Sequence, residues 1–293
     1  MNHNRRTFIR NSGAALLSGM IPAPFHACTD KKVPGLAVQL YTIRDQIAKD
    51  ALGALRKLRE IGFRHVETAF WPEAIGLNEA AALLRDLDFK VVSCHIEIPI
   101  GEHKPKMLQA AKAYGCTKMI WHGWPEDKRY SSLEGTMELI GIYNEAHRFA
   151  RSEGLSFGLH NHWWEYRNKV GGKSVYEVLL EHLDPDIFFE MDAYWVKVAG
   201  HDPARIARQL GSRLKYIHVK DGPAQYNDRL AVDNPDPMTA VGKGTQDFPG
   251  IFKAAGTHPD WLVVEMDKTA TDVYEALRES YRYLAVDNHF AEP

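Results

Sequence analysis

Residues 156–165 read SFGLHNHWWE, an apolar run that ends abruptly in imidazole, amide, indole and carboxylate side chains. This pattern is typical of a buried β-strand whose carboxyl end opens onto a polar site. Three later stretches repeat it, each β-rich at first and each ending in potential metal ligands: 187–192 (IFFEMD), 214–221 (LKYIHVKD) and 261–267 (WLVVEMD). A fold that brings these four strand ends together would form one site.

From residue 33 onward the chain alternates strand-like and helix-like segments. The eight predicted strands are 36–40, 63–68, 90–96, 118–122, 156–162, 187–192, 214–220 and 261–266. Apolar residues at helical spacing lie between them, and Gly62, Gly115 and Gly154 end three of the predicted helices. Eight strand–helix units over roughly 260 residues predict a closed (β/α)8 barrel.

A doubly wound open sheet is the main alternative within the α/β class. Such a sheet concentrates its chemistry at one switch point and often carries a glycine-rich fingerprint after the first strand. No such fingerprint follows residues 36–40, and polar residues stand at the carboxyl end of nearly every predicted strand. We therefore predict a single barrel domain over residues 33–293, preceded by a signal segment over residues 1–32.

The N-terminal segment resembles a twin-arginine export signal. Residues 4–10 read NRRTFIR, and the small, apolar run 13–21 is too short to span a bilayer. Ala27-Cys28 resembles the end of a lipoprotein cleavage box, so we expect cleavage near Cys28, a lipid anchor there, and an exported, periplasmic protein. An amphipathic N-terminal helix of a cytoplasmic protein is the alternative.

The overall composition excludes several classes of function. The chain has 36 basic and 38 acidic residues, a formal net charge of -2, and no block of like charge. This balance lacks the basic surface that nucleic-acid or membrane binding would require. Because three cysteines do not make a disulfide framework, we expect Cys94 and Cys116 to be small buried hydrophobes.

In a barrel the predicted strand ends meet at one mouth. They carry Gln39, Glu67, His95, Glu97, His122, His160, His162, Glu190, Asp192, His218, Lys220, Glu265 and Asp267. Residues two apart on a strand face the same way but are separated by about 6.6 Å, so one ion takes one residue per strand. A mixed imidazole and carboxylate set suits Mn²⁺ or Zn²⁺, with Mg²⁺ or Co²⁺ as further options, better than Ca²⁺.

Five motifs at these strand ends, and one in the long loop after strand seven, carry a family resemblance. They are 39–45 (QLYTIRD), 159–162 (LHNH), 190–192 (EMD), 218–221 (HVKD), 242–248 (GKGTQDF) and 263–265 (VVE). With them, residues 35–286 resemble the xylose isomerase-like TIM barrels, a family of sugar phosphate isomerases/epimerases that also includes AP endonucleases and inosose dehydratases. The resemblance implies one divalent ion held by His160, Asp192, His218 and Glu265.

The chain departs from this family's pattern at strand five. Many relatives have Glu-Asn where this chain has His160-Asn161. A neutral imidazole can still bind the metal, so the resemblance continues to imply a metal site. It no longer implies proton transfer between two opposed glutamates, which is the mechanism of the family's epimerases.

The leading hypothesis is a metal-dependent sugar or keto-sugar isomerase/epimerase that removes a proton next to a carbonyl. In this hypothesis Glu265 is the base, Lys220 stabilises the enolate or donates a proton, and His122 is an opposing acid. The expected contacts to the carbohydrate are Glu67, His95, His162, Glu165 and Trp195, with hydrogen bonding behind or around the site as the alternative role of these residues.

Three other functions share this fold. A metal-dependent keto-glycoside lyase or dehydratase would lose a substituent after the same proton abstraction. A lipid-anchored, non-catalytic sugar-binding protein is favoured by the change at His160. Cleavage of abasic DNA is disfavoured by the charge balance. Export, and the lack of a phosphate-cradling glycine loop or arginine cluster at the mouth, predict a substrate without phosphate.

Overall fold

A computed structural model of the protein describes residues 33–231, 234–288 and 290. The expected export signal and the lipid anchor at Cys28 lie outside the described residues. Within those ranges, none of the helices combines the length and apolar character needed to cross a membrane.

The eight strands form a closed, fully parallel barrel, which confirms the predicted (β/α)8 fold. The strands are β1 Gly35–Gln39, β2 His65–Thr68, β3 Lys90–Ile96, β4 Lys118–Trp121, β5 Ser156–His160, β6 Phe188–Asp192, β7 Leu214–Val219 and β8 Trp261–Val264. Each strand pairs with its neighbours in chain order, and β1 closes the barrel by pairing with both β2 and β8.

One main helix follows each strand. These helices are α1 Arg44–Ile61, α2 Leu77–Asp86, α3 His103–Tyr114, α4 Leu133–Ser152, α5 Val175–His182, α6 Pro203–Leu210, α7 Phe248–Ala255 and α8 Val273–Tyr281. Ser174 and Glu177 form a capping box at the start of α5, and the Asp202 side chain caps α6. Two short helices, Trp164–Arg167 and Ala193–Val198, follow β5 and β6 before the main helices.

Apolar side chains separate the barrel interior into a packed lower part and a polar upper part. A large cluster packs between strands and helices, and a smaller one fills the interior with Ala37, Val92, Ile120, Phe188, Tyr216 and Val263. Gly158 on β5 leaves the room that the Phe188 ring fills, because a Cβ there would overlap that ring. The interior is therefore closed below, and polar groups can meet water only at the mouth.

Candidate functional site

The pleat of the strands builds the site in two inward-facing layers above the apolar plug. Side chains two residues apart on a strand point the same way, so Gln39, Glu190, His218 and Glu265 point inward like the plug residues two positions before them. The inner layer contains Gln39, Glu67, His95, His160, Glu190, His218 and Glu265, and the outer layer contains His162, Asp192, Lys220 and Asp267. Most of these side chains are buried, and Glu67, Glu190, Asp192 and His218 are fully so.

A cavity of about 180 Å³ opens at the carboxyl end of the barrel above these layers. Its lining consists of Tyr41, Ala69, Phe70, His95, His122, Trp124, His160, His162, Lys220, Glu265 and Asp267. Charged and imidazole groups lie at its base, whereas Phe70 and Trp124 are exposed at its rim. The cavity has the size and mixed lining of a small-molecule site.

Three carboxylates surround the ammonium group of Lys220. Its Nζ donates hydrogen bonds to both oxygens of Asp267, at 3.1 and 2.9 Å. The same nitrogen lies 2.9 Å from Asp192 Oδ2 and 2.7 Å from Glu265 Oε2. Although burial opposes the charge of Lys220, these carboxylates outweigh it and raise the pKa of the amine well above its ordinary value. Lys220 is therefore a fixed positive charge in the wall of the cavity.

His218 joins the two layers, because each ring nitrogen faces a carboxylate. Its Nε2 lies 2.7 Å from Glu67 Oε1 and 3.1 Å from Glu190 Oε1. Its Nδ1 lies 2.7 Å from Glu265 Oε2 but has no aligned hydrogen-bond partner among the described residues. Burial opposes protonation, but Glu190, Glu265 and Glu67 together raise the pKa of His218 well above its usual value.

His160 connects the same two layers on β5. Its Nδ1 lies 3.1 Å from Glu190 Oε2, and its Nε2 lies 3.9 Å from Asp192 Oδ2. Burial, reinforced by the charge of His218, lowers the pKa of His160 well below its ordinary value. The ring is therefore neutral, and since Nδ1 donates to Glu190, the lone pair of Nε2 faces Asp192.

Asn161 fixes the strand end that carries Asp192. Its Oδ1 accepts a hydrogen bond from the backbone N–H of Asp192 at 3.0 Å. Asp192 Oδ1 in turn accepts from the backbone N–H of Trp195 at 3.0 Å, which leaves Oδ2 directed at the site. Burial raises the pKa of Asp192 against the opposing charges of Lys220 and His218.

A second hydrogen-bonded group lies beneath His218. Glu67 accepts from Gln39 Nε2 at 2.7 Å and from Ser93 Oγ at 2.5 Å. His95 Nε2 lies 3.1 Å from Glu67 Oε1 and 2.7 Å from Glu190 Oε2. Burial disfavours the charged ring, but Glu67 and Glu190 raise the pKa of His95 to about 10. His95 is thus a cation between two carboxylates, with a side chain that is 8% exposed to the cavity.

The donor set fits one divalent cation. Asp192, His218 and Glu265 offer ligand atoms within 4.8 Å of one another. Among the described residues Asp192 Oδ2 and His218 Nδ1 make no aligned hydrogen bond, although Lys220 Nζ lies 2.9 Å from the first and Glu265 Oε2 lies 2.7 Å from the second. Glu67, Glu190, Asp192, Glu265 and Asp267 are all at most 5% exposed. With His218 neutral, as an ion on its Nδ1 would require, these five carboxylates face two fixed positive charges, Lys220 and His95, and buried charge of one sign needs a partner. A divalent ion would neutralise most of the excess negative charge.

A second group of side chains with metal-ligand chemistry consists of His95, His160, Glu190 and His218. Its atoms already pair with one another through hydrogen bonds of 2.7 to 3.1 Å. In the outer group Asp192 Oδ2 and His218 Nδ1 make ion-pair contacts with Lys220 and Glu265 but no aligned hydrogen bond, so we take the outer position as the better ion site. His160 belongs geometrically to the inner group and approaches the outer one only through its 3.9 Å spacing to Asp192.

The other residues singled out in the sequence lie at different depths. His122 and His162 line the cavity, and His122 Nδ1 accepts from the backbone N–H of Trp124 at 3.2 Å. Glu165 lies behind His162 and accepts from its backbone N–H at 3.0 Å. Trp195 is fully buried and does not line the cavity. Glu67 likewise lies below the cavity, in contact with His218 and His95.

Sequence reasoning missed the aromatic rim of the cavity. Tyr41, Phe70 and Trp124 each follow a barrel strand by two or three residues. Each residue stands just beyond a polar strand end, and this position is a signal that could have identified it. The three aromatic rings give the mouth of the cavity an apolar face opposite its charged floor.

The fold and the site together define a (β/α)8 barrel with an acidic, histidine-rich site at the carboxyl ends of its strands. Residues 55–285 match the family model described as the xylose isomerase-like TIM barrel. The chain belongs to that family. No curated protein sequence matches it.

Solved structures of the same fold include isomerases and epimerases. A sugar phosphate isomerase/epimerase from Parabacteroides distasonis ATCC 8503 is 21% identical with a TM-score of 0.72, covering 86% of this chain and 98% of that one. An L-ribulose 3-epimerase is 15% identical with a TM-score of 0.64, covering 86% and 94%. The IOLI protein, solved with a bound zinc atom, is 12% identical with a TM-score of 0.62, covering 86% and 96%. At these identities the likeness concerns the fold.

Proposed function

We propose that the protein is a divalent-metal-dependent isomerase or epimerase of a sugar or keto-sugar, acting by proton abstraction next to a carbonyl. The observation that carries this proposal is the convergence of Asp192, His218 and Glu265 at the base of a cavity whose buried carboxylates outnumber its cations. Imidazole and carboxylate ligands favour Mn²⁺ or Zn²⁺. The zinc bound by the IOLI protein, which shares the fold, supports this assignment.

We assign the ligands Asp192, His218 and Glu265, with His160 as the fourth through its Nε2. A divalent ion held there supplies a Lewis acid that polarises the substrate carbonyl. The contact of Glu67 with His218 Nε2 would keep His218 Nδ1 free for the ion, and the contact of Glu190 with His160 Nδ1 would keep Nε2 free.

Glu265 is the base in this proposal. Burial opposes its ionisation, but Lys220 and His218 lower the pKa of Glu265, so it is a carboxylate at neutral pH. It lines the cavity, where a substrate C–H can reach it. The ammonium group of Lys220, 2.7 Å from Glu265 Oε2, would stabilise the oxyanion that forms when the proton leaves.

His122 acts on the opposite side of the cavity. Because its Nδ1 accepts from Trp124, the neutral ring carries its proton on Nε2. That nitrogen lies 3.4 Å from Glu97 Oε1, and it would donate to a substrate oxygen in place of this carboxylate. Burial lowers the pKa of His122, which keeps the ring neutral. The Phe70 ring packs edge-on to His122 at a centroid distance of 5.1 Å and holds its orientation.

Deuterium exchange tests this function directly. Protein loaded with Mn²⁺ or Zn²⁺ is incubated in deuterated water with free aldoses, ketoses and 3-keto-glycosides, and C–H loss is followed by proton NMR. We expect metal-dependent exchange that Glu265→Gln abolishes and that Glu126→Gln, outside the cavity, retains. Exchange with release of a substituent would indicate the lyase instead. Saturable sugar binding with no exchange would contradict an enzyme and favour the sugar-binding alternative.

We also propose that the protein is exported and lipid-anchored at Cys28. The twin-arginine element and the Ala27-Cys28 site support this location.

A further inference from the structure

The loop after β7 is organised around one buried carboxylate, that of Asp221. Asp221 Oδ1 accepts hydrogen bonds from the backbone N–H groups of Gly222 and Gln246, at 2.9 and 3.1 Å. Its Oδ2 accepts from those of Gly242 and Gly244, at 3.0 and 2.9 Å. Four backbone donors therefore converge on one carboxylate, and each oxygen receives two.

The glycines of this loop are needed for that convergence. Gly242 has φ +85°, a conformation that side chains rarely adopt. A Cβ on Gly244 would overlap both Asp221 Oδ1 and the backbone nitrogen of Gly222. The sequence GKGTQ at residues 242–246 thus lets the main chain approach an anion closely, which is the property of a phosphate-cradling loop.

The anion in this cradle belongs to the chain itself. Asp221 is fully buried, and within the described part of the chain no ion pair involves it. Its charge is balanced by backbone N–H dipoles, as the charge of a bound phosphate is in such loops. Barrel enzymes frequently bind a substrate phosphate with the loops that follow strands seven and eight. In this protein the loop after β7 has the architecture of such a phosphate site, but its four backbone N–H groups already bind the Asp221 carboxylate.

We propose that Asp221 is an internal substitute for a substrate phosphate and that it closes this anion site, so the protein takes sugars without a phosphate at that end. The inference rests on the proposed function for its substrate class, but the filled cradle is a property of the loop alone. The sequence suggested that no such cradle exists; the structure shows one that is filled from within.

Inorganic phosphate is the probe that tests the cradle. Asp221→Ala removes the carboxylate and leaves four N–H groups facing a space, whereas Asp221→Asn keeps that space filled. We expect millimolar phosphate to raise the Tm of Asp221→Ala by several degrees beyond the effect of chloride at matched ionic strength. Wild type and Asp221→Asn should show no such difference. An equal phosphate response in all three proteins, or none in a folded Asp221→Ala, would overturn the proposal.

Wild-type protein provides a second test if Asp221→Ala does not fold. In crystals of the wild type soaked in phosphate, the proposal predicts no anion within hydrogen-bond distance of the Gly242, Gly244 and Gln246 nitrogens. A phosphate bound to those nitrogens would refute it. Neither measurement requires catalytic turnover. A negative result for the anion site can therefore be distinguished from a negative result for the isomerase proposal. If exchange is found, a free sugar should exceed its phosphate ester in kcat/KM by at least a hundredfold.

Discussion

Glu67→Gln should weaken metal binding although Glu67 touches no proposed ligand atom of the ion. In the structure Glu67 Oε1 lies 2.7 Å from His218 Nε2, so its charge would hold the one remaining proton of His218 on Nε2 when an ion takes Nδ1. The amide of glutamine accepts less strongly and can turn its NH₂ group toward His218. Loss of such a carboxylate–histidine contact costs about 10- to 100-fold in metal affinity, or about 1.4 to 2.7 kcal/mol.

The assay is a competition titration of Mn²⁺ or Zn²⁺ against a chelator, with circular dichroism to show that the variant is folded. Ser93→Ala is the matched control, because it removes a hydrogen bond to Glu67 but keeps the carboxylate. We expect that control to change affinity less than about threefold, well below the loss expected for the carboxylate. If Glu67→Gln bound the ion as tightly as the control, Glu67 would not orient His218 and the assignment of His218 Nδ1 to the ion would fail.

Three further predictions concern charge and location. Burial raises the pKa of Glu165 to about 8, well above the ordinary range of a glutamate, so wild-type stability should fall as the pH rises from that ordinary range toward 8. Glu165→Gln should therefore gain stability relative to wild type by roughly 1.4 kcal/mol per pH unit there; equal differences in urea unfolding at pH about 5.5 and 8.5 would refute this. Lys220→Met should destabilise the ion-free protein by about 3 kcal/mol or more, because the buried carboxylates lose their positively charged partner. Added Mn²⁺ should then raise the Tm of this variant more than the Tm of wild type. Equal Tm shifts in the two proteins would argue against an ion beside Lys220. Replacing Arg5 and Arg6 by lysine should block export, and Cys28→Ser should release the protein from membranes; unchanged fractionation would refute the signal.

The alternation of strands and helices was sufficient to predict the closed barrel. The pleat also predicted that His218 and Lys220, two residues apart, would face the same side, as they do. His162 lies beyond β5, because the strand ends at His160 and not at residue 162 as predicted. Residues in barrel strands and their immediate ends were therefore placed well by local patterns.

Contacts across the barrel could not be predicted from the sequence. Glu67 on β2 contacts His218 on β7 across the closed barrel, and the β2–β3 register shifts between Val66 and Glu67. Such registers depend on packing of the whole barrel and leave no periodic signal. The cradle around Asp221 joins groups more than 20 residues apart through a loop without regular structure, so local pattern reasoning does not detect it.

Crystals grown with Mn²⁺ or Zn²⁺ and measured for anomalous scattering would test the central claim most directly. The account predicts one ion coordinated by Asp192, His218 and Glu265, with His160 Nε2 as the fourth protein ligand. An ion bound instead among His95, Glu190 and His218, or no ion at saturating metal with Lys220 still between Asp192 and Glu265, would contradict it.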